Sequence, residues 1–283
     1  MKKGSLFQRL AAAPHILWAV MFIVFPMIFV LFFAFTDADG NFSFSNITTL
    51  SQYGHVFVLS IAFALIATVV CLIIGYPLAY FMSKQSPRAQ KVLMVLVMLP
   101  MWCNLLIRTY ALMALLDNGG LLNSLLVSLG LDKIQIVGTN FGVILGMIYD
   151  FLPYMVLPIF TAMTKLDPKF IEASQDLGCT TWQTMTRVIM PLTASGVISG
   201  VTMVFVPSIS TFYISQKLGA GKIDLVGDTI ERLFQNPSTY NVGAAISLVM
   251  MVLIISSVTV MTRFSDDKTP GESKSGKGGG LVP

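Results

Sequence analysis

Long apolar stretches alternate with short polar ones along the chain. Six of the apolar runs are about 20 residues long, enough to cross a hydrocarbon core as a helix. They cover Pro14–Phe35, Val56–Met82, Val92–Leu116, Phe141–Met163, Thr193–Ile214 and Val242–Met261. The pattern predicts an all-α integral membrane protein with six transmembrane helices. Residues 1–13 precede the bundle, 14–262 form it, and 263–283 follow as a polar tail rich in Gly, Ser and Lys, expected to be disordered. The first run is not expected to be a cleaved signal. It is too long for an apolar signal core, and Thr36-Asp37-Ala38-Asp39 makes a poor cleavage site.

Composition agrees. Only 11% of the 283 residues are charged and 55% are hydrophobic, with a mean hydropathy of +0.77. Soluble domains carry about 25% charged residues, so this chain lacks the charge to cover a watery surface. Of the 18 Lys and Arg, only Lys133, Lys217, Lys222 and Arg232 fall on one side, and Arg108 lies inside a span. The rest share a side with both termini, which the positive-inside rule places in the cytoplasm. The net charge of +4 therefore reports topology, and no nucleic-acid partner is expected.

No catalytic set emerges. Cys71 and Cys103 lie in spans, Cys179 lies in a loop, and His15 and His55 stand alone, so neither a disulfide framework nor a metal spacing is present. Gly271 to Lys277 fits G-x-x-x-x-G-K, but Gly278 stands where a P-loop needs Ser or Thr. The chain is expected to be no enzyme, with no catalytic residue, no metal and no cofactor of its own.

The most specific segment is the loop 164–191. Asp167 suits an N-cap, Pro168 the first helical position and Gly178 the left-handed residue past the end. That predicts a helix of about ten residues, with Phe170, Ile171, Ala173 and Leu177 as its apolar contacts. Thr180 or Thr181 then caps a second helix running through Arg187 to Pro191 and into the fifth span. Two short helices and a glycine corner make a rigid protrusion.

Glu172-Ala173-Ser174, Gly178 and Val188-Ile189-Met190-Pro191-Leu192 resemble the EAA loop of permease subunits in ATP-binding-cassette importers. Ser174 and Cys179 stand where alanine is common. The resemblance implies the six-helix (MetI-like) architecture of type I ABC importer permeases. It places Glu172, Ala173, Ser174, Asp176, Leu177 and Gly178 at the contact with a cytoplasmic ATPase. It also implies the partners: two copies of that ATPase, which bind ATP and Mg, a second and different permease chain, and an extracytoplasmic binding protein. The setting implied is a bacterial cell membrane.

Leu99-Pro100-Met101-Trp102-Cys103-Asn104-Leu105-Leu106-Ile107-Arg108-Thr109-Tyr110, Gly75-Tyr76-Pro77-Leu78-Ala79-Tyr80 and Lys165-Leu166-Asp167 are similar to spermidine/putrescine permeases of the first-subunit type. Relatives that import ferric iron, thiosulfate or phosphonates share much of this framework. An ion-coupled secondary transporter fits less well, for no internal repeat is visible.

Charges inside a membrane usually have partners. Arg108 and Asp150 sit at similar depth, so they either pair as a structural lock or leave Asp150 free to attract a cationic amine. Tyr149, Tyr154, Trp102 and Tyr110 are candidates to line the path, because aromatic faces bind ammonium groups. Pro207 is expected to break the fifth span, with Phe212 and Tyr213 beyond it as an outer gate. Gly142/Gly146 and Gly196/Gly200 have the spacing of close helix packing. Outside the spans, Leu122, Leu125, Leu126 and Leu129 repeat at helical spacing, and Asp228 with Glu231 resembles a capping pair.

Overall fold

The computed structural model describes residues 6–37 and 40–266. The expected tail, including the Gly271–Lys277 run, lies almost wholly outside them. Helices in chain order are α1 (Leu6–Ala19), α2 (Phe25–Ala34), α3 (Ser45–Thr49), α4 (Gly54–Ser83), α5 (Pro87–Trp102), α6 (Leu105–Leu116), α7 (Leu121–Ser128) and α8 (Asn140–Thr164). Then come α9 (Pro168–Asp176), α10 (Thr181–Thr184), α11 (Met190–Leu192), α12 (Ala194–Ser210), α13 (Tyr213–Leu218), α14 (Val226–Gln235) and α15 (Tyr240–Asp266). A π-helical turn, Val20–Val24, joins α1 to α2.

Among the described residues, five helices are long and apolar enough to cross a membrane, and the bent pair Thr181–Leu192 with Ala194–Ser210 makes a sixth. Five expected spans fall on these, although the second and fifth stretches begin 11 and 12 residues before the expected Val56 and Thr193. The third does not. Val92–Leu116 is two helices, α5 and α6, and the qualifying stretch is Leu105–Ser128. Cys103 and Asn104 are extended at the break (ψ 143° and 132°), and the Asn104 side chain accepts from Leu106 N to cap α6.

The core is the trio α4, α8 and α12, packed through small and flexible side chains. Ala67, Cys71, Ala79, Met155, Val156 and Ile159 are buried there. Hydrocarbon gives no hydrophobic drive for helices to associate, so close approach of small residues supplies the contact. Gly196 shows it: a β-carbon there would lie 2.5 Å from Ala162 Cβ and 2.8 Å from Pro158 O. Gly146 likewise abuts Leu218 and Ile214, and Gly200 abuts Met155, so both glycine pairs serve packing. Deep side-chain hydrogen bonds tie distant segments, among them Tyr76 Oη with Thr193 Oγ1 at 3.1 Å and Val226 N donating to Ser60 Oγ at 2.8 Å. α2 lies on α15 through Ala34, Ala244 and Ala245, while Ile16 to Phe32 leave large apolar side chains exposed.

Two further expectations are corrected. Pro207 does not break its helix; α12 runs on to Ser210 and the chain turns at Thr211 (ψ 140°). Asp228 is not a first cap. The helix begins two residues earlier, and Asp228 reaches back to accept from Leu225 N at 2.9 Å. Glu231 instead accepts from Gln216 and Gln235. The leucine repeat does form a helix, α7.

Candidate functional site

One cluster surrounds the intramembrane charges. Arg108 Nε lies 2.5 Å from Asp150 Oδ1, with side chains 7% and 0% exposed. The break before α6 makes this possible. Pro100 is four residues before Asn104, and its carbonyl accepts from Arg108 Nη1 at 3.0 Å. Thr109 Oγ1 donates to the second carboxylate oxygen, Oδ2, at 3.3 Å. The guanidinium also lies 5.9 Å from the Tyr149 ring centroid. One oxygen of Asp150 thus lies against the guanidinium and the other accepts from Thr109, with the carboxylate buried inside this chain, which is the paired arrangement of the two foreseen.

A second cluster sits where α6 meets α13. The Tyr110 and Tyr213 rings meet edge to face, centroids 6.0 Å apart. Lys217 Nζ stands 5.0 Å from the first centroid and 5.6 Å from the second. These two tyrosines, placed on the path from sequence, are thus brought together. Trp102, Tyr154 and Phe212 are not brought into either cluster. Trp102 is 71% exposed at the end of α5, Phe212 is exposed at the turn, and Tyr154 packs beside Phe151. Lys217 was missed as a site residue. Its spacing of four from Tyr213, one helical turn, was the available signal.

The third feature is the loop 164–191. Asp167 Oδ1 accepts from Lys169 N at 3.0 Å, and Pro168 opens α9. Gly178 has φ +78°, and Cys179 N closes the corner on Ser174 O at 3.0 Å. Thr180 and Gln183 then form a reciprocal capping box for α10. Past it the chain passes through a π-helical turn, Met185–Ile189, and bends 68° before α12, so the second helix does not run straight into the fifth span.

Burial divides the loop in two. Ser174 is buried, and its hydroxyl lies 2.9 Å from Thr184 Oγ1 while donating to Ile171 O. It holds the corner from inside. Glu172, Ala173 and Asp176 are exposed, as are Phe170 and Leu177. Phe170, Ala173 and Leu177 are therefore not internal contacts, as the pattern suggested; of the four named, Ile171 alone is half-buried. Trp182 is exposed too. α9 and α10 thus present an apolar face with Glu172 and Asp176 on the same short helix.

Residues 74–269 match the family model "Binding-protein-dependent transport system inner membrane component". The chain belongs to that family. It is a multi-pass inner-membrane transport component. It is similar to the spermidine/putrescine transport system permease protein PotB of Haemophilus influenzae, 37% identical with 91% of this chain and 93% of that one covered. The Escherichia coli protein of the same description is 36% identical, covering 88% and 94%. Among solved structures, a chain of a bacterial alginate ABC transporter, in complex with its alginate pentasaccharide-bound periplasmic protein, superposes with a TM-score of 0.75 at 20% identity, covering 93% and 95%. The fold is therefore that of ABC importer permeases.

Proposed function

We propose that this chain is one permease subunit of an ATP-driven importer for polyamines, with both termini in the cytoplasm. The observation that carries the substrate is the 37% identity, over nine-tenths of both chains, to a spermidine/putrescine permease. The α6–α13 cluster supports it, because two tyrosines there already flank an ammonium group, at 5.0 Å and 5.6 Å from their ring centroids. Ring quadrupoles favour such cations.

One six-span chain supplies half of a path, so a second permease completes it. Two copies of a cytoplasmic ATPase bind ATP and Mg, and an extracytoplasmic binding protein delivers the solute. Glu172, Ala173, Asp176 and Leu177 form the surface for the ATPase. Ser174 and Gly178 keep α9 and α10 in one rigid piece behind it. Closure of the ATPases moves that piece as a body. The bend at Thr193 passes the movement to α12, at whose far end Phe212 and Tyr213 gate the outer opening. Tyr110, Tyr149 and Trp102 flank the path, while Arg108, Asp150 and Tyr154 brace it.

The test is uptake by the complete complex in proteoliposomes, with ATP inside and labelled putrescine, spermidine, ferric iron and thiosulfate offered with their binding proteins. ATP-dependent accumulation of a polyamine alone is expected. Accumulation of another solute discards the polyamine, and uptake driven by an ion gradient without ATP discards the importer class.

A further inference from the structure

Four polar groups from three helices converge beyond the broken third and fifth spans. Tyr110 comes from α6, Tyr213 and Lys217 from α13, and Glu231 from α14. Tyr213 and Lys217 are one turn apart, so their contact follows from helix spacing. Tyr110 is a hundred residues upstream, and its ring closing on the same ammonium does not. The centroid distances, 5.0 Å and 5.6 Å, and the 76° between the rings place the cation against both tyrosines, and the Tyr110 hydroxyl is its hydrogen-bond partner. Glu231 stands near enough to favour the positive charge, held in place by Gln216. Tyr110 is 46% exposed, so the site is accessible on the surface of this chain.

A lysine ammonium is strongly hydrated and sits on a flexible four-carbon stem. On a merely solvated face it would point into water. Here the ammonium stands beside both tyrosines, where an alkylamine would sit, tethered by its own side chain.

Taking polyamines as the cargo, as proposed above, we infer that Tyr110 and Tyr213 form an alkylammonium site which Lys217 occupies as a tethered self-ligand, and that the amine end of a substrate displaces it. Such a site suits transport. An incoming amine must compete with the tether, so it is held briefly, and the returning lysine expels it. The occupant also raises the entry barrier for stray cations, since each has to lift Lys217 away.

The test reads the lysine directly. The complete complex is acetylated with a limiting amine-reactive ester, and labelling of Lys217 and Lys222 is followed by mass spectrometry. Tetramethylammonium, which cannot react with the ester, is compared with sodium at equal ionic strength. Labelling of Lys217 should rise about two- to fivefold, the size of an exposed cation–π interaction, while Lys222 stays unchanged. Tyr110→Phe keeps the ring but loses the hydroxyl that bonds Lys217, so labelling should start somewhat higher and still rise. Tyr110→Leu should start high and show no further rise. An unchanged Lys217 in the wild-type complex, or a rise that persists in Tyr110→Leu, overturns the inference. Failure of putrescine uptake with the rise intact would remove the cargo and leave the site standing.

Discussion

Arg108 Nε and Asp150 Oδ1 lie 2.5 Å apart in the membrane interior, each side chain almost fully buried. Two opposite charges so placed are valuable chiefly for each other. Removing one partner leaves the other uncompensated, at a cost of about 3–5 kcal/mol. Arg108→Met and Asp150→Leu should each lower the thermal stability of the purified complex by that order. The double variant Arg108→Met/Asp150→Leu should recover most of it, because an apolar replacement of the whole pair is often nearly neutral. A double-mutant cycle measures the coupling. Additive losses would mean that the pair is no lock, and normal stability with lost uptake in Asp150→Asn would return the carboxylate to the path.

The loop 164–191 predicts a separation of roles. Glu172 is exposed and Ser174 is buried against Thr184. Glu172→Lys should leave stability unchanged yet cut co-purification of the ATPase more than about tenfold, since misplaced charge at an interface costs several kcal/mol. Ser174→Leu should lower both, because no room exists for it in the corner. Equal stability loss in the two variants would show that Glu172 faces inward, contrary to its exposure.

How much of this was legible beforehand depends on whether a feature is local. The caps at Asp167, Pro168, Gly178 and Thr180 were readable because capping chemistry involves residues within four positions. Five of the six spans were readable because membrane thickness sets their length. The break at Cys103–Asn104 was not, since nothing in an apolar run marks where a polar cap pays for interrupting it. The turn at Thr211 was misplaced onto Pro207 because a proline in a helix costs one hydrogen bond and does not oblige the chain to turn. The meeting of Tyr110 with Lys217 spans a hundred residues, and only the packing of α13 on α6 creates it.

Two glycines should fail for different reasons. At Gly178 a β-carbon meets nothing within 4 Å, but φ is +78°, so Gly178→Ala pays only backbone strain, about 1–2 kcal/mol. At Gly196 the backbone is ordinary helix and the added carbon strikes Ala162 and Pro158. Gly196→Ala should therefore force α12 from α8, at about 1–3 kcal/mol. Gly178→Asn, which tolerates the left-handed region, should restore much of the first loss. Gly196→Asn should be worse than Gly196→Ala. Thermal unfolding of the four variants decides it, and matching behaviour at the two sites would refute the distinction.

Asp228 should make stability fall as pH rises. It lies outside the spans, 5% exposed. Burial lifts its carboxyl to about 6, and the charges of Asp224 and Glu231 push the same way, against hydrogen bonds from Ser215 and Leu225 N. Its Oδ1 has no hydrogen-bond partner among the described residues, so desolvation wins. Unfolded, the group returns to the usual value near 4. Between about pH 4 and 6 the folded state thus holds more protons than the unfolded one, and stability declines across that window by at most about 3 kcal/mol. Asp228→Asn keeps an acceptor for Leu225 N but has no charge to desolvate. It should flatten the difference across the window and be the more stable protein at neutral pH. The measurement is the unfolding temperature of wild type minus variant as a function of pH. A constant difference would mean that Asp228 is hydrated, and a difference that favoured wild type as pH rose would mean that the carboxylate has a cationic partner.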